Sequence, residues 1–112
     1  MSAMGGKLPQ LGYPLQVTFA RKILLHSPVS DERLLEPFVE QCLEDQVSII
    51  AVFGEGSRRL EDIIDEIVVG DGSQPDRFVC TTSHPNEPFD DVLNMLNHWE
   101  LERKDPVQEV RL

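Results

Sequence analysis

The stretch Val47-Ser48-Ile49-Ile50-Ala51-Val52-Phe53, followed at once by Gly54-Glu55-Gly56-Ser57, decides the fold class of this 112-residue chain. Its first part is almost unbroken apolar sequence, too short for a helix and rich in β-branched residues, which indicates a strand buried on both faces. A tight glycine-rich turn follows, and Ser57 is then placed to cap a helix. The apolar residues beyond Ser57 keep a helical spacing: Leu60, Ile63, Ile64, Ile67 and Val68. The stretch predicts a strand, a loop and a helix in succession, and this unit indicates an α/β fold.

Similar patterns recur on both sides of this unit. Ile23-Leu24-Leu25-His26 predicts the end of a first strand, and Arg77–Thr82 predicts a third. The first strand leads to a helix that Ser30 can cap. Pro37 must either kink that helix or stand in the first turn of a restarted one, because proline lacks a backbone donor. The third strand leads to a helix for which Asn86 is the predicted N-cap.

This alternation of strands and helices predicts a parallel sheet with right-handed crossovers and helices on both faces. Residues 107–112 supply a short fourth strand. Because the central strand is apolar at successive positions, we place it inside the sheet, which favours the strand order 3-2-1-4 over 2-1-3-4. The expected architecture is a three-layer α/β sandwich with a four-stranded, mostly parallel sheet, three helices and a Rossmann-like or flavodoxin-like strand order. We expect residues 1–13 to form a flexible N-terminal arm and residues 14–112 to form one domain.

The charge of the chain is acidic and unevenly distributed. Twenty Asp and Glu against ten Lys and Arg give a net charge of −10. Residues 30–72 hold twelve acidic residues and three arginines, a net charge of −9, whereas the rest hold eight acidic and seven basic residues, a net charge of −1. Most of these acidic residues lie on the first two predicted helices. They form either a solvated surface or a docking surface for a basic protein partner. A field of this sign argues against nucleic-acid binding through phosphate contacts.

Other features of the composition exclude several classes of protein. No apolar run approaches the ~20 residues of a membrane span, and the N-terminus lacks the apolar core of a secretion signal. We therefore expect a cytoplasmic protein that binds no membrane. Cys42 and Cys80 are too few for a metal site, and each continues an apolar pattern, so both are predicted to be buried, reduced thiols. We expect no metal and no cofactor.

The candidate site residues follow from the predicted topology, because ligands of open parallel sheets bind outside the carboxyl ends of the strands. Those residues are His26, Gly54, Gly56, Ser57, Arg58, Thr82 and His84. Arg58 would stand in the first turn of a helix, where the dipole disfavours a cation, so a bound anion would relieve the conflict.

Each part of this candidate site also has a structural explanation. The Gly54-x-Gly56 turn lacks the third glycine of a dinucleotide fingerprint and the Gly-Lys-Ser/Thr ending of a phosphate loop. His84 precedes Pro85 and is typical of a turn residue. The chain shows no Ser-His-Asp order and no convincing carboxylate pair, so we predict no catalytic residue and favour a protein that is not an enzyme.

Two segments, Asp76-Arg77-Phe78-Val79-Cys80-Thr81-Thr82-Ser83-His84 and Glu87-Pro88-Phe89-Asp90-Asp91-Val92, resemble a small bacterial α/β domain family of unknown function. The pattern of that family reads Asp-Arg-Phe-Val-Met-Thr-Thr-Trp-His, then Glu-Pro-Leu and an acidic pair before a third helix. Cys80 and Ser83 depart from it. The resemblance implies the same order of strands and helices, and it brings no known activity.

Two functions stay open at this point. The first is a small binding or accessory protein that acts through protein contacts on its acidic surface, for example by neutralising a basic nuclease or toxin. The second is a sensor or enzyme that binds an anion or nucleotide at the carboxyl edge of the sheet. Trp99, with Met95 and Leu101, also predicts an apolar patch suited to a homodimer contact, and an exposed fourth strand offers another.

Overall fold

The computed structural model of the chain describes residues 18–99 and 105–112. In chain order, the elements are β1 (Lys22–His26), a 3₁₀ turn (Glu32–Leu34), α1 (Leu35–Glu44), β2 (Ile49–Phe53), α2 (Ser57–Val69), β3 (Cys80–His84), α3 (Phe89–Asn97) and β4 (Val107–Arg111). All three strand pairings are parallel, and the order β3-β2-β1-β4 confirms the predicted order 3-2-1-4. The predicted N-terminal arm, residues 1–13, lies outside the described residues.

The central strands β1 and β2 are buried on both faces, as their continuous apolar sequence requires. Four residues of β1 and four of β2 are buried. Because side chains alternate along a strand, Ile23, Leu25, Ile50 and Val52 pack against α1 and α2 on one face. Leu24, Ile49 and Ala51 pack against α3 on the other face. The predicted three-layer sandwich is thereby confirmed.

The first helix begins later than the sequence predicts. Asp31, rather than Ser30, caps the 3₁₀ turn, and its Oδ1 accepts a hydrogen bond of 2.9 Å from the backbone N–H of Arg33. The α-helix then starts at Leu35, which puts Pro37 in the first turn. Of the two alternatives for Pro37, the structure has the restart, because the missing donor of proline leaves no bond unmade in a first turn.

The caps of the other two helices also differ from prediction. Gly56, with φ 82°, is the N-cap of α2, and Ser57 is the first helical residue, fully buried on the core side. A left-handed N-cap favours glycine. Pro88 is the N-cap of α3, and the helix begins at Phe89, so Asn86 does not cap it.

Two strands differ from prediction in their bounds: β2 is shorter at its start, and β3 lies further along the chain. The backbone N–H of Val47 donates to Cys42 O at 3.0 Å, so Val47 bonds to the end of α1. β2 begins two residues later, at Ile49. The predicted third strand, Arg77–Thr82, is wrong at both ends. The first bond to the sheet is from Cys80 N–H to Ser48 O, at 3.1 Å, and β3 continues to His84.

Within residues 18–99 and 105–112, no helix combines the length and apolar character needed to cross a membrane. Both cysteines are free thiols. Cys42 is buried, as predicted, whereas the predicted burial of Cys80 is wrong: Cys80 is partly exposed, because β3 lies at an edge of the sheet.

Candidate functional site

The carboxyl edge of the sheet carries one row of side chains on the face that α3 covers. The strand register places His84, Phe53, His26 and Arg111 beside one another in that order. Paired residues of parallel strands point to the same face, so the two predicted histidines share a face, with Phe53 between them. The topology argument therefore located both histidines at this edge, although it did not predict the aromatic ring that separates them.

His84 lies between a hydroxyl and a carboxylate. Its Nε2 is 2.8 Å from Thr82 Oγ1, two residues earlier on the same face of β3. Its Nδ1 is 3.1 Å from Glu87 Oε2, although the angles are not those of a hydrogen bond. The His84 side chain is 11% exposed, whereas that of Glu87 is 53% exposed. The hydroxyl, imidazole and carboxylate stand in an order that could move a proton.

His26 belongs to a separate aromatic cluster. Its ring stacks on Phe89, at a centroid distance of 6.0 Å, and meets Phe53 edge to face at 5.8 Å. Its Nε2 is 2.9 Å from Glu109 Oε1 on β4. Phe89, the first residue of α3, also packs edge to face on Phe53 at 5.5 Å. These contacts fix the start of α3 on the sheet, so the packing accounts for His26.

The glycine-rich turn is built against the loop that follows β1. Gly54 has φ 111°, and a Cβ there would lie 2.7 Å from Ser27 O. The backbone N–H of Gly54 donates to His84 O at 3.1 Å, and Ser27 Oγ donates to Glu55 O at 2.6 Å. The turn thus ties three loops together at this edge. Gly56 occupies the left-handed N-cap position, so both glycines have a structural role.

The surroundings of Ser57 and Arg58 differ from those of the two histidines. Ser57 is fully buried and lies on the core-facing stripe of α2, and its Oγ has no hydrogen-bond partner among the described residues. Arg58 is exposed and makes no ion pair with any residue in the described ranges. Its neighbour Arg59 is held by Glu32, with Nε to Oε2 at 2.7 Å and Nη2 to Oε1 at 2.9 Å. Of the predicted residues, the structure therefore brings together Thr82 and His84, and it places Ser57 in the core.

The charges at this edge are mixed. The loops and strand ends that form it carry the carboxylates of Glu55, Glu87 and Glu109 and the cations of Arg58 and Arg111. No three His, Cys, Asp or Glu side chains stand close enough to hold a metal ion in the part of the chain that the structure describes.

The outer surface of α1 and α2 carries a second set of functional candidates. Exposed carboxylates repeat along each helix, and four of those without an ion pair to any described residue are Glu36 and Glu44 on α1 and Asp62 and Glu66 on α2. We call these four residues the acidic helix layer. The two helices pack side by side on one face of the sheet, so the four carboxylates share one surface.

Neighbouring arginines hold other carboxylates of this region in their charged form. The Arg59 guanidinium lowers the pKa of Glu32, and the Arg77 guanidinium lowers the pKa of Glu40, in each case by hydrogen bonding to the carboxylate. Arg33 lowers the pKa of Asp31 in the same way. Of the twelve acidic residues between 30 and 72, these three have ion pairs with described arginines, and the surface keeps a large excess of negative charge.

A groove that the sequence did not reveal lies at the opposite, amino-terminal edge of the sheet. Its volume is about 740 Å³, and its lining includes Arg21, Ser48, Phe78 and Trp99. Phe78 is 74% exposed, which is unusual for a large apolar side chain. The signal that could have indicated it is the Phe78-Val79 pair just before β3, because alternation turns one of these two residues out of the core.

Comparison with known proteins gave one match. The model of a family described as a domain of unknown function (DUF7684) matches residues 3–110. No curated protein and no solved structure matches the chain. The match supports the resemblance to a family of unknown function, whereas a bacterial source stays a prediction.

Proposed function

The chain belongs to this domain family of unknown function, and from its own surface we propose that it is a binding protein whose acidic helix layer docks a basic protein. The observation that carries the proposal is the uncompensated charge of that surface. Residues 30–72 have a net charge of −9, and the arginines that pair with this region engage Asp31, Glu32 and Glu40. The four carboxylates of the acidic helix layer form no ion pair with any described residue and are available to a partner.

The arrangement suits a protein partner because the charges are fixed on two packed helices. A surface of one sign attracts an oppositely charged protein over long distances and raises its rate of association. Glu36 and Glu66 stand on different helices, so a partner surface that meets both must have basic groups spaced across the helix pair. A repulsive potential of the same origin disfavours the phosphates of nucleic acids.

The test is affinity capture from a lysate of the source organism with three forms of the protein. The wild type is compared with Glu36→Gln/Glu66→Gln in the acidic helix layer. The matched control is Asp90→Asn/Asp91→Asn, which changes the net charge by the same amount, from −10 to −8, on exposed residues of α3 across the sheet. Capture is repeated as the ionic strength rises from about 0.1 M to about 1 M, which shortens the Debye length from about 10 Å to about 3 Å.

The proposal predicts a partner that the wild type and the α3 control retain and that the helix-layer variant binds about fivefold or more weakly. High salt should release it. Equal losses in both variants would show a response to net charge alone and would overturn the assignment of the surface. The absence of any partner at low salt would overturn the proposed function.

A second candidate function rests on the arrangement of Thr82, His84 and Glu87, which could transfer a proton to or from a small ligand. Melting temperatures measured with nucleotides, inorganic phosphate and small carboxylates separate the two functions, because a ligand that binds the folded state raises the melting temperature. An increase that His84→Asn abolishes would favour the second function over the first.

A further inference from the structure

The outer edge of β3 is open within the described part of the chain. β3 is an edge strand of the sheet, and among the described strands it pairs only with β2. Four of its five residues stay partly exposed, in contrast with the buried β1 and β2. The helix on one face, α2, packs over β3, whereas α3 packs over the other three strands. Within the described residues, the outer side of β3 is therefore accessible.

The register shows which backbone groups point outward. Cys80 N–H donates to Ser48 O at 3.1 Å, and His84 O accepts from Gly54 N–H at 3.1 Å, so these residues and Thr82 direct their backbone groups toward β2. Successive residues of a strand alternate in this respect. Thr81 and Ser83 consequently direct both N–H and C=O away from the sheet, where no described residue bonds to them.

The sequence of β3 does not protect this edge. Natural edge strands commonly carry charged residues or proline, which hinder pairing with another chain. β3 consists of Cys80, two threonines, Ser83 and His84, without any formally charged residue or proline. The opposite edge strand, β4, contains Glu109 and Arg111. Of the two edges, β3 is the one less protected against the addition of a strand.

The side chains beside the edge determine which sequence is favoured in an added strand. On the α2 face, Ser83 Oγ donates to Glu61 Oε1 at 2.6 Å, and Thr81 Oγ1 donates to Asp65 Oδ1. A strand paired with β3 would lie about 4.8 Å away, and every second side chain would stand next to these carboxylates. Lysine or arginine is therefore favoured at those positions of the added strand. At the amino end of the edge, Phe78 is 74% exposed and lines the groove, where it can contact an apolar side chain.

We propose that an extended, basic segment of the partner adds a fifth strand to the sheet along the outer edge of β3, with basic side chains against Glu61 and Asp65 and an apolar side chain at Phe78. The inference rests on the proposed function for its basic partner, and it adds the mode of binding. A second copy of the chain is disfavoured as the occupant, because pairing β3 with β3 around a two-fold axis would bring the Glu61 and Asp65 carboxylates of both copies together.

The test uses a defined probe, an acetylated and amidated octapeptide of alternating lysine and valine. A matched peptide carries N-methyl groups on alternate residues and cannot form the strand ladder, and a third replaces every lysine with glutamate. Amide hydrogen exchange of the full chain is followed by NMR with each peptide. The expected result is slower exchange at Thr81 and Ser83, with Thr82 as the internal reference, because its N–H already bonds to β2.

The inference predicts that N-methylation weakens binding by about tenfold or more and that the glutamate peptide does not bind. Phe78→Ala should weaken the lysine peptide. Ser83→Pro should do so as well, since it removes one outward donor at an edge position that tolerates proline. Each variant is first checked for cooperative unfolding, and either one is sufficient for the comparison.

Three outcomes would overturn the inference. If the lysine peptide binds but leaves exchange at Thr81 and Ser83 unchanged, and the N-methylated peptide binds equally, charge attraction operates without strand addition. In that case the proposed function stands. If Thr81 and Ser83 become protected with rising protein concentration and no peptide, a second copy occupies the edge. If the lysine peptide does not bind, the edge is not a peptide site, and the capture experiment decides the proposed function separately.

Discussion

The Ser57 hydroxyl is buried on the core side of α2, without a hydrogen-bond partner among the described residues. A buried, unsatisfied hydroxyl costs about 1–3 kcal/mol, and alanine is the better helix former. We predict that Ser57→Ala leaves the free energy of unfolding unchanged or raises it by about 1 kcal/mol. An N-cap serine, which the sequence predicted, would instead cost about 1 kcal/mol when replaced.

Urea unfolding measures this difference, and Ser27→Ala is the matched control. Ser27 Oγ donates to Glu55 O at 2.6 Å, so its removal should lower the free energy of unfolding by about 1 kcal/mol. A loss at Ser57 as large as that at Ser27 would contradict the buried, unpartnered position.

Cys42 gives a pH-dependent prediction at the same scale. Burial, with a smaller contribution from the Asp45 charge, raises the pKa of its thiol from 9.0 to about 12. Above about pH 9 the unfolded chain therefore loses a proton that the folded chain keeps, and the free energy of unfolding falls by about 1.4 kcal/mol per pH unit. Below that pH this contribution is fully present.

Urea unfolding at about pH 8 and about pH 10.5 tests this effect in the wild type and in Cys42→Ala. The wild type should lose about 2 kcal/mol more than the variant between the two conditions. Parallel losses in both proteins would show that other groups cause the alkaline destabilisation.

Among the elements, the turn after β2 depends on a glycine that no other residue can replace without strain. Gly54 combines φ 111° with a would-be Cβ only 2.7 Å from a backbone oxygen, Ser27 O. We predict that Gly54→Ala lowers the free energy of unfolding by about 2–5 kcal/mol, from backbone strain and overpacking together. Gly72 has φ 81° with nothing within 4 Å, so Gly72→Ala should cost about 1 kcal/mol. Equal costs in thermal unfolding would contradict the close approach of the two loops.

Arg77 joins α1, α2 and the approach to β3. It donates to Val68 O at 3.0 Å and Ile67 O at 2.9 Å at the end of α2, and it forms two hydrogen bonds with Glu40 on α1. Arg77→Ala should lower the free energy of unfolding by about 1–3 kcal/mol, because the helix carbonyls lose a charged donor.

Arg33→Ala is the control for Arg77, since Arg33 also forms an ion pair, with Asp31, but its side chain is 90% exposed. It should lower the free energy of unfolding far less than Arg77→Ala does, because solvent screens an exposed ion pair. Chemical denaturation of both variants measures this difference. A similar loss of free energy of unfolding in each variant would contradict the role of Arg77 as a cap for α2.

The sequence predicted elements where a single signal dominated and misplaced their ends where side chains competed. The apolar run before Gly54 located β2 inside the sheet, and the helical spacing beyond Ser57 located α2. The start of β3 was wrong because Arg77 bonds to the end of α2, a contact between residues that no local pattern contains. The caps of α2 and α3 depend on backbone angles at Gly56 and Pro88, and residue preference alone favoured Ser57 and Asn86.

At the scale of the whole molecule, topology predicted which loops meet, but not which side chains share a space. The register brings His26 and His84 to one edge and one face, as the carboxyl-edge rule implies. Phe53 separates them, because a residue of the central strand necessarily lies between residues of its two neighbours. The carboxylates of that edge and the open edge of β3 emerge only from the assembled sheet. The remaining surface feature, the charge of α1 and α2, was readable directly from the sequence because exposed helix positions carry it.

Docking of a basic protein on the acidic helix layer is best tested by an NMR titration of the isotope-labelled full chain with the basic partner captured at low salt. Shifts of backbone amide signals report the surface that the partner covers. We expect the largest shifts on α1 and α2, at and beside Glu36, Asp62 and Glu66, and we expect Glu36→Gln/Glu66→Gln to need about fivefold or more partner to reach the same shifts. Shifts confined to α3 and the row of His84, Phe53 and His26, with the helix layer unchanged, would contradict it.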